Sequence, residues 1–155
     1  MLGQLVALKK TRLEREVSVH QMLPHSPYVV RLLRVEQTLK KDKALFHLVL
    51  EYLDTDLNKF IDSHREALPP SVIQSFLYQL CNGVAHCHSH GVLHRDLKPA
   101  NLLVDKDKGI LRIADFGLAR DFTAPPTNYT PGLVTLRYRA PELLLGSRHY
   151  STGVD

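Results

Sequence analysis

The sequence predicts an α+β fold, and three observations carry that prediction. Short apolar runs broken by charged turns fill the first third, one long amphipathic helix dominates the middle, and a hairpin followed by a long irregular stretch makes up the rest. Alternation marks strands, and a three-to-four-residue rhythm marks a helix face. The chain has 155 residues, enough for one domain or part of a larger one. It is 44% hydrophobic and 23% charged, too apolar for a disordered chain. No apolar run approaches the ~20 residues of a bilayer span, and the opening MLGQLVALKK is not built like a signal peptide. No membrane partner is expected. The formal charge is +4, but only Lys40, Lys41 and Lys43 cluster, around Asp42. That reads as a solvated turn, so no nucleic-acid partner is expected either. Cys81 and Cys87 form neither a disulfide framework nor a zinc spacing, which fits a reducing, intracellular setting.

Taken in order, Leu5-Val6-Ala7-Leu8 predicts a buried strand. Residues 15–23 predict a helix with Val17, Val19 and Met22 as its apolar positions, stopped by Pro24. Residues 28–37 and 44–51 predict two antiparallel strands around the charged turn. Asp54 or Thr55 caps a short helix ending at Asp62. Pro69-Pro70-Ser71 opens a long helix whose apolar stripe is Val72, Ile73, Phe76, Leu77, Leu80, Cys81, Val84 and Ala85, with Gly91 past its end. Residues 102–104 and 110–114 predict a hairpin across the turn 105–109. Residues 116–139 contain Pro125, Pro126 and Pro131 and predict a long functional loop.

The chemistry-bearing residues sit in and around that last third. His94-Arg95-Asp96-Leu97-Lys98-Pro99-Ala100-Asn101 has the form H-R-D-L-x-x-x-N. Asp115-Phe116-Gly117 begins 14 residues after Asn101, and Ala140-Pro141-Glu142 begins 25 residues after Asp115. Upstream, Val6-Ala7-Leu8-Lys9 has the form of a strand presenting a lysine. Singly, these are a strand-end lysine and turn aspartates; four motifs in this order read as a phosphoryl-transfer site. Such transfer needs charge neutralisation and positioning more than covalent help. Asp96 is placed to accept the proton of an incoming hydroxyl, and Lys98 to reach the moving phosphate. Asn101 and Asp115 offer the hard oxygens that suit Mg²⁺. Lys9 would meet the α- and β-phosphates of ATP, held by a carboxylate on the next helix, for which Glu16 is the candidate. His86, His88 and His90 alternate beside Cys87, but residues two apart on a helix point apart and do not share a metal easily.

The chain resembles the cyclin-dependent kinase family, most of all its plant B-type branch. The resemblance rests on VALKKTRL, REVSVHQML, EYLDTDLNKFI, YQLCNGVAHCHSHGVLHRDLKPANLL, IADFGLARDF, VTLRYRAPELLLG and HYSTGVD. It implies a two-lobed, protein-kinase-like fold. Residues 1–51 would be a partial N-lobe, 52–54 a hinge and 55–155 a partial C-lobe. It implies ATP and Mg²⁺ as cofactors, with Ala7, Glu51, Leu53 and Leu103 around the adenine and Asp56 at the ribose. Glu51 and Leu53 would act through backbone groups. Thr135 joins Asp96, Lys98 and Asn101 in the catalytic set the resemblance implies. Thr130 matches the family's activating phosphosite, with Arg15, Arg95 and Arg120 as its arginines; a phosphate there adds about −1.5 to −2 charges. Val134 and Arg139 match the pocket that favours proline after the target Ser/Thr. The implied partners are a cyclin and protein substrates bearing Ser/Thr-Pro, and the implied location is nucleus and cytoplasm.

Three departures shape the expectation. No G-x-G-x-x-G occurs among the eight glycines. Only Glu14 stands between Leu13 and Arg15, where the family carries a longer cyclin-docking segment. The chain ends at Asp155, the residue that begins the family's central helix, and Arg137 replaces a family tryptophan. The expectation is a truncated kinase domain. Its rival is a catalytically dead fragment that binds a cyclin or substrates.

Overall fold

The computed structural model describes residues 5–40, 43–122, 136–147 and 151–155. Strand β1 (Val6–Thr11) is followed by helix α1 (Glu14–Met22), strand β2 (Leu32–Lys40) and strand β3 (Lys43–Glu51). The three strands form an antiparallel sheet in the order β1-β3-β2, with Val6 opposite Glu51 and Thr11 opposite Phe46. Strand β1 forms where expected but is not buried. It lies at the edge, and its outward Val6 and Leu8 stay exposed, Leu8 by 60%. The period of two turns Ala7, Lys9 and Thr11 the other way. Helix α1 buries Glu16, Val17, Val19 and His20, and leaves Met22 exposed.

The strand expected over 28–37 is displaced to Leu32–Lys40. Residues 28–30 have another partner. Val30 N–H donates to Ile113 O (2.9 Å) and Ile113 N–H to Tyr28 O (2.9 Å), so this stretch pairs with a strand from the far end of the chain.

Strand β4 (Thr55–Asp56) leads directly into helix α2 (Leu57–Asp62). Its cap is Asp56, not Asp54 or Thr55: the Asp56 carboxylate accepts from Lys59 N–H at 2.9 Å. Thr55 is held in β4, and Asp54 accepts instead from Lys106 N–H (3.1 Å). Helix α3 (Pro70–Ser89) is the long one, 20 residues and about 30 Å. It buries Phe76, Gly83 and Cys87, while Ile73, Leu77 and Cys81 from its predicted stripe are exposed.

The remaining strands are β5 (Val92–Leu93), β6 (Leu102–Asp105), β7 (Ile110–Ile113) and β8 (Arg120–Asp121), with α4 (Pro141–Leu144) near the end. The β6–β7 hairpin turns through Gly109 at φ 62°. Helix α3 grips it: Gln79 Oε1 accepts from Leu111 N–H (2.8 Å) and Gln79 Nε2 donates to Gly109 O (3.0 Å). Strand β4 extends this sheet, and β5 pairs with β8. One apolar cluster joins α1, α3 and the hairpin through Val19, Phe76, Cys87, Ile113 and Phe116. A second sits under the first sheet through Val17, Val30, Phe46, Leu48 and Leu50. Among the described residues no helix is long and apolar enough to cross a membrane.

Candidate active site

Lys9 is the inward residue of an edge strand, and Glu16 lies on the buried face of the next helix. The two side chains are in direct contact, and the Lys9 ammonium also donates to Asp115 Oδ1 at 2.7 Å. One amine thus ties β1, α1 and the turn after β7. Burial opposes its charge, but the hydrogen bonds to Asp115 and Glu16 outweigh that and hold its pKa above the ordinary lysine value. The same balance acts on Asp115: burial, the largest single influence, pushes its pKa up, but the hydrogen bond and charge of Lys9 and the Gly117 N–H together bring it below normal. Glu16 is 1% exposed, so the ammonium is its compensation for burial.

The loop after β5 carries the second group. Lys98 Nζ donates to Asp96 Oδ2 at 2.8 Å, and Asn101 Nδ2 donates to the same oxygen at 2.9 Å and to Asp96 O at 2.8 Å. His94 is buried beneath. Its Nε2 donates to Ala114 O (2.9 Å) and its Nδ1 accepts from Asp96 N–H (3.2 Å), a pattern only the neutral ring satisfies. Burial, the largest influence on it, holds its pKa down. Ala114 N–H donates to Asn101 O (2.9 Å), bringing Asn101 beside the turn that carries Asp115. The loop is braced by Asp155, whose carboxylate accepts from His94 N–H (2.7 Å), Arg95 N–H (2.6 Å) and His88 Nε2 (3.0 Å).

The donor set suits Mg²⁺. With its amide nitrogen committed to Asp96, Asn101 has its Oδ1 left for a cation. Asp115 spends Oδ1 on Lys9 and Gly117 N–H, and its carboxylate is half exposed. Two hard oxygens are enough for an ion that keeps waters and takes phosphate oxygens as further ligands.

The other expected positions divide. Ala7, Leu53 and Leu103 converge on the second apolar cluster, from β1, the segment after β3 and β6. The Glu51 carboxylate is turned to Arg112 and to Arg31 N–H (2.6 Å). Asp56 is occupied as the α2 cap and in an ion pair with Lys59 (2.9 Å). Arg15 and Arg95 reach neighbouring carbonyls, Gly117 O at 3.2 Å and Leu118 O at 2.8 Å. Burial first, then the charges of Arg120 and Arg95, depress the pKa of Arg15, so the three guanidinium groups share one neighbourhood. Arg139 is half-buried just past a 3-10 turn (Leu136–Tyr138). Thr130, Val134 and Thr135 lie outside the described residues. The three histidines do not meet at one point: His88 goes to Asp155, while His86 packs against His90 (ring centroids 4.4 Å apart) and donates toward Pro24 O (3.2 Å). Sequence reasoning missed His20 and Arg112. His20 is one helical turn past Glu16 and packs edge-on against Phe116 (ring centroids 5.1 Å apart); the i, i+4 spacing was the available signal.

Comparison with known proteins decides the family. Residues 4–155 match the protein kinase domain. The chain belongs to the protein kinase family. Among similar proteins, the kinase chain is 65% identical over 171 residues to cell division control protein 2 homolog C of Antirrhinum majus, covering 99% of this chain and 56% of that protein. It is 59% identical to cyclin-dependent kinase B1-1 of Arabidopsis thaliana, covering 99% and 57%. It is 53% identical to cyclin-dependent kinase B2-2 of the same plant, covering 99% and 53%. The kinase chain therefore spans a little over half the length of these relatives. The first match runs over 171 residues against 155 here, so that relative carries residues inside the matched span that this chain lacks.

Proposed function

We propose that this chain is the catalytic portion of an ATP-dependent serine/threonine kinase of cyclin-dependent type, transferring phosphate to Ser/Thr followed by Pro. The supporting observation is the Lys9 ammonium bridging Glu16 and Asp115, beside an Asp96–Lys98–Asn101 cluster. Residues 1–51, 52–54 and 55–155 are read as N-lobe, hinge and C-lobe. Ala7, Leu53 and Leu103 form the apolar floor for an adenine, with backbone groups of Glu51 and Leu53 at its edge. Asp56 stands toward the ribose if its link to Lys59 opens. ATP bound with Mg²⁺ supplies the phosphoryl group and neutralises its charge; Asn101 Oδ1 and the Asp115 carboxylate are the ligands this chain offers.

The chain's own residues do the rest. Asp96 orients the substrate hydroxyl and takes its proton. Lys98, already 2.8 Å from Asp96, offsets negative charge between nucleophile and phosphate. Lys9 holds the non-transferred phosphates, and Thr135 completes the catalytic set. Phosphorylation of Thr130 would gather Arg15, Arg95 and Arg120, linking α1, the loop after β5 and β8. Val134 and Arg139 shape the proline pocket. A cyclin is the partner this reading names, and nucleus and cytoplasm its location.

The test is transfer of labelled γ-phosphate from Mg-ATP to a Ser-Pro peptide by the full chain and by Asp96→Asn. Loss of general base catalysis lowers the rate by about 10²–10⁴-fold. Equal transfer by both proteins refutes the role of Asp96. Nucleotide binding without any transfer replaces this reading with a non-catalytic, partner-binding one.

A further inference from the structure

A cavity of about 150 Å³ lies between the C-terminal end of α1, the connection that follows it and the start of β2. It is distinct from the cluster around Lys9 and Asp96. Leu23, Val29, Val30 and Leu32 supply apolar walls, and His20, His25, Ser26 and Arg31 the polar ones. Ser26 Oγ already accepts from Tyr28 N–H (3.2 Å). His20 is 7% exposed, and among the described residues no hydrogen bond reaches either of its ring nitrogens. The ring nitrogens of this nine-tenths-buried imidazole are left to the cavity that it lines.

We propose that this cavity binds a small uncharged monocyclic phenol, with His20 as its hydrogen-bonding anchor. The size sets the ring: a cavity of this volume accepts a molecule the size of benzene. The imidazole sets the substituent. Burial first, then the charge of Lys9, push the His20 pKa down to about 4 against a partial offset from Asp115, so the ring is neutral at pH 7. A neutral imidazole has one acceptor and one donor, and a hydroxyl satisfies either. A phenol does what water cannot: it lays a ring against Leu23, Val29, Val30 and Leu32 while its hydroxyl meets His20. The same imidazole packs on Phe116, next to Asp115, so occupancy is felt at that turn.

The experiment is an NMR titration of the full chain at pH 7 with phenol, anisole, benzene and benzoate as separate probes. One phenol per chain binds saturably, about fivefold tighter than benzene or anisole, and the Phe116 ring resonances move with it. His20→Leu brings phenol down to the level of benzene while benzene is retained. Leu32→Phe, which fills the cavity, abolishes both. No saturable binding means a water-filled cavity, and equal binding of phenol and benzene means an unused imidazole; either overturns the proposal. Tighter binding of benzoate also overturns it, in favour of an anion site at the exposed Arg31 on the rim. The wild-type series decides the matter even if a variant fails to fold.

Discussion

Arg95 and Asp115 are the two residues other than glycine with positive φ among those described, at 67° and 64°. Such conformations cost about 1–3 kcal/mol each and persist where the surroundings enforce them. Here the enforcement is visible: Asp155 takes the Arg95 N–H, and Lys9 and Gly117 N–H hold the Asp115 carboxylate. Between them lies a ring column, His20 and His94 each edge-on to the buried Phe116 at 5.1 and 5.0 Å. An imidazole in such a column titrates at a cost to the fold. The His20 pKa is about 4 folded against about 6.5 unfolded, so between these values the unfolded chain binds a proton that the folded chain refuses. Stability is therefore complete above pH 6.5 and declines as pH falls toward 4, by about 3 kcal/mol from this residue. Urea midpoints at pH 7.5, 5.5 and 4.5 should show a shallower decline for His20→Leu than for wild type. His94 and His86 shift in the same direction but are common to both proteins, so equal slopes would exclude His20 as the source.

At the scale of elements, the link between β1 and α1 is the chain's most distinctive feature. Only Arg12 and Leu13 join Thr11 to Glu14, which limits their separation to about 10 Å. Leu13 N–H donates to Thr11 Oγ1 (3.0 Å) and Leu13 O accepts from Glu16 N–H (3.0 Å), so even that reach is not used. The short link holds Glu16 against Lys9. Inserting four Gly/Ser residues after Arg12 should loosen the pair, lower the Lys9 pKa and speed its labelling by an amine-reactive reagent at pH 8. An unchanged rate would show that packing alone positions α1. Helix α3 offers a second check at Gly83. A Cβ there would meet Ile113 Cδ1 at 2.8 Å and Tyr28 O at 3.1 Å, where α3 crosses the 28–113 pairing. Gly83→Ala gains about 1 kcal/mol of helix propensity but forces that crossing apart; the net expectation is a loss of about 1–2 kcal/mol in urea unfolding. Most helices and the β6–β7 hairpin were legible in the sequence, because Pro70, Gly91, Gly109 and the apolar rhythm act locally. The displaced start of β2 was not, because Val29 and Val30 answer to Ile113, over 80 residues away. The burial of β1 was misread for a related reason: an apolar run reports a strand but not its place in the sheet.

On the scale of the whole molecule, a few long-range contacts tie the first sheet to the helical half. The 28–30 segment pairs with β7, and the Glu51 carboxylate meets Arg112 across 61 positions of sequence. The motif residues were legible as letters, but their convergence rests on these contacts, which no local pattern announces. Asp155 is the sharpest case. It is 1% exposed at its side chain, and its carboxylate collects two backbone N–H groups of the loop and a histidine of α3. Asp155→Ala would leave both amides without an acceptor in a site closed to water, at a cost of about 3 kcal/mol. Asp155→Asn keeps one acceptor and should cost less. Because the Arg95 amide is what holds its positive φ, the damage should begin locally rather than in the core. Hydrogen exchange checks this: the amides of His94 and Arg95 should lose protection in Asp155→Ala before those of Val104 and Leu111 in the hairpin. Unaltered protection at both amides would mean that the loop is held by His94 and Leu118 O alone, and that Asp155 contributes only to helix α3.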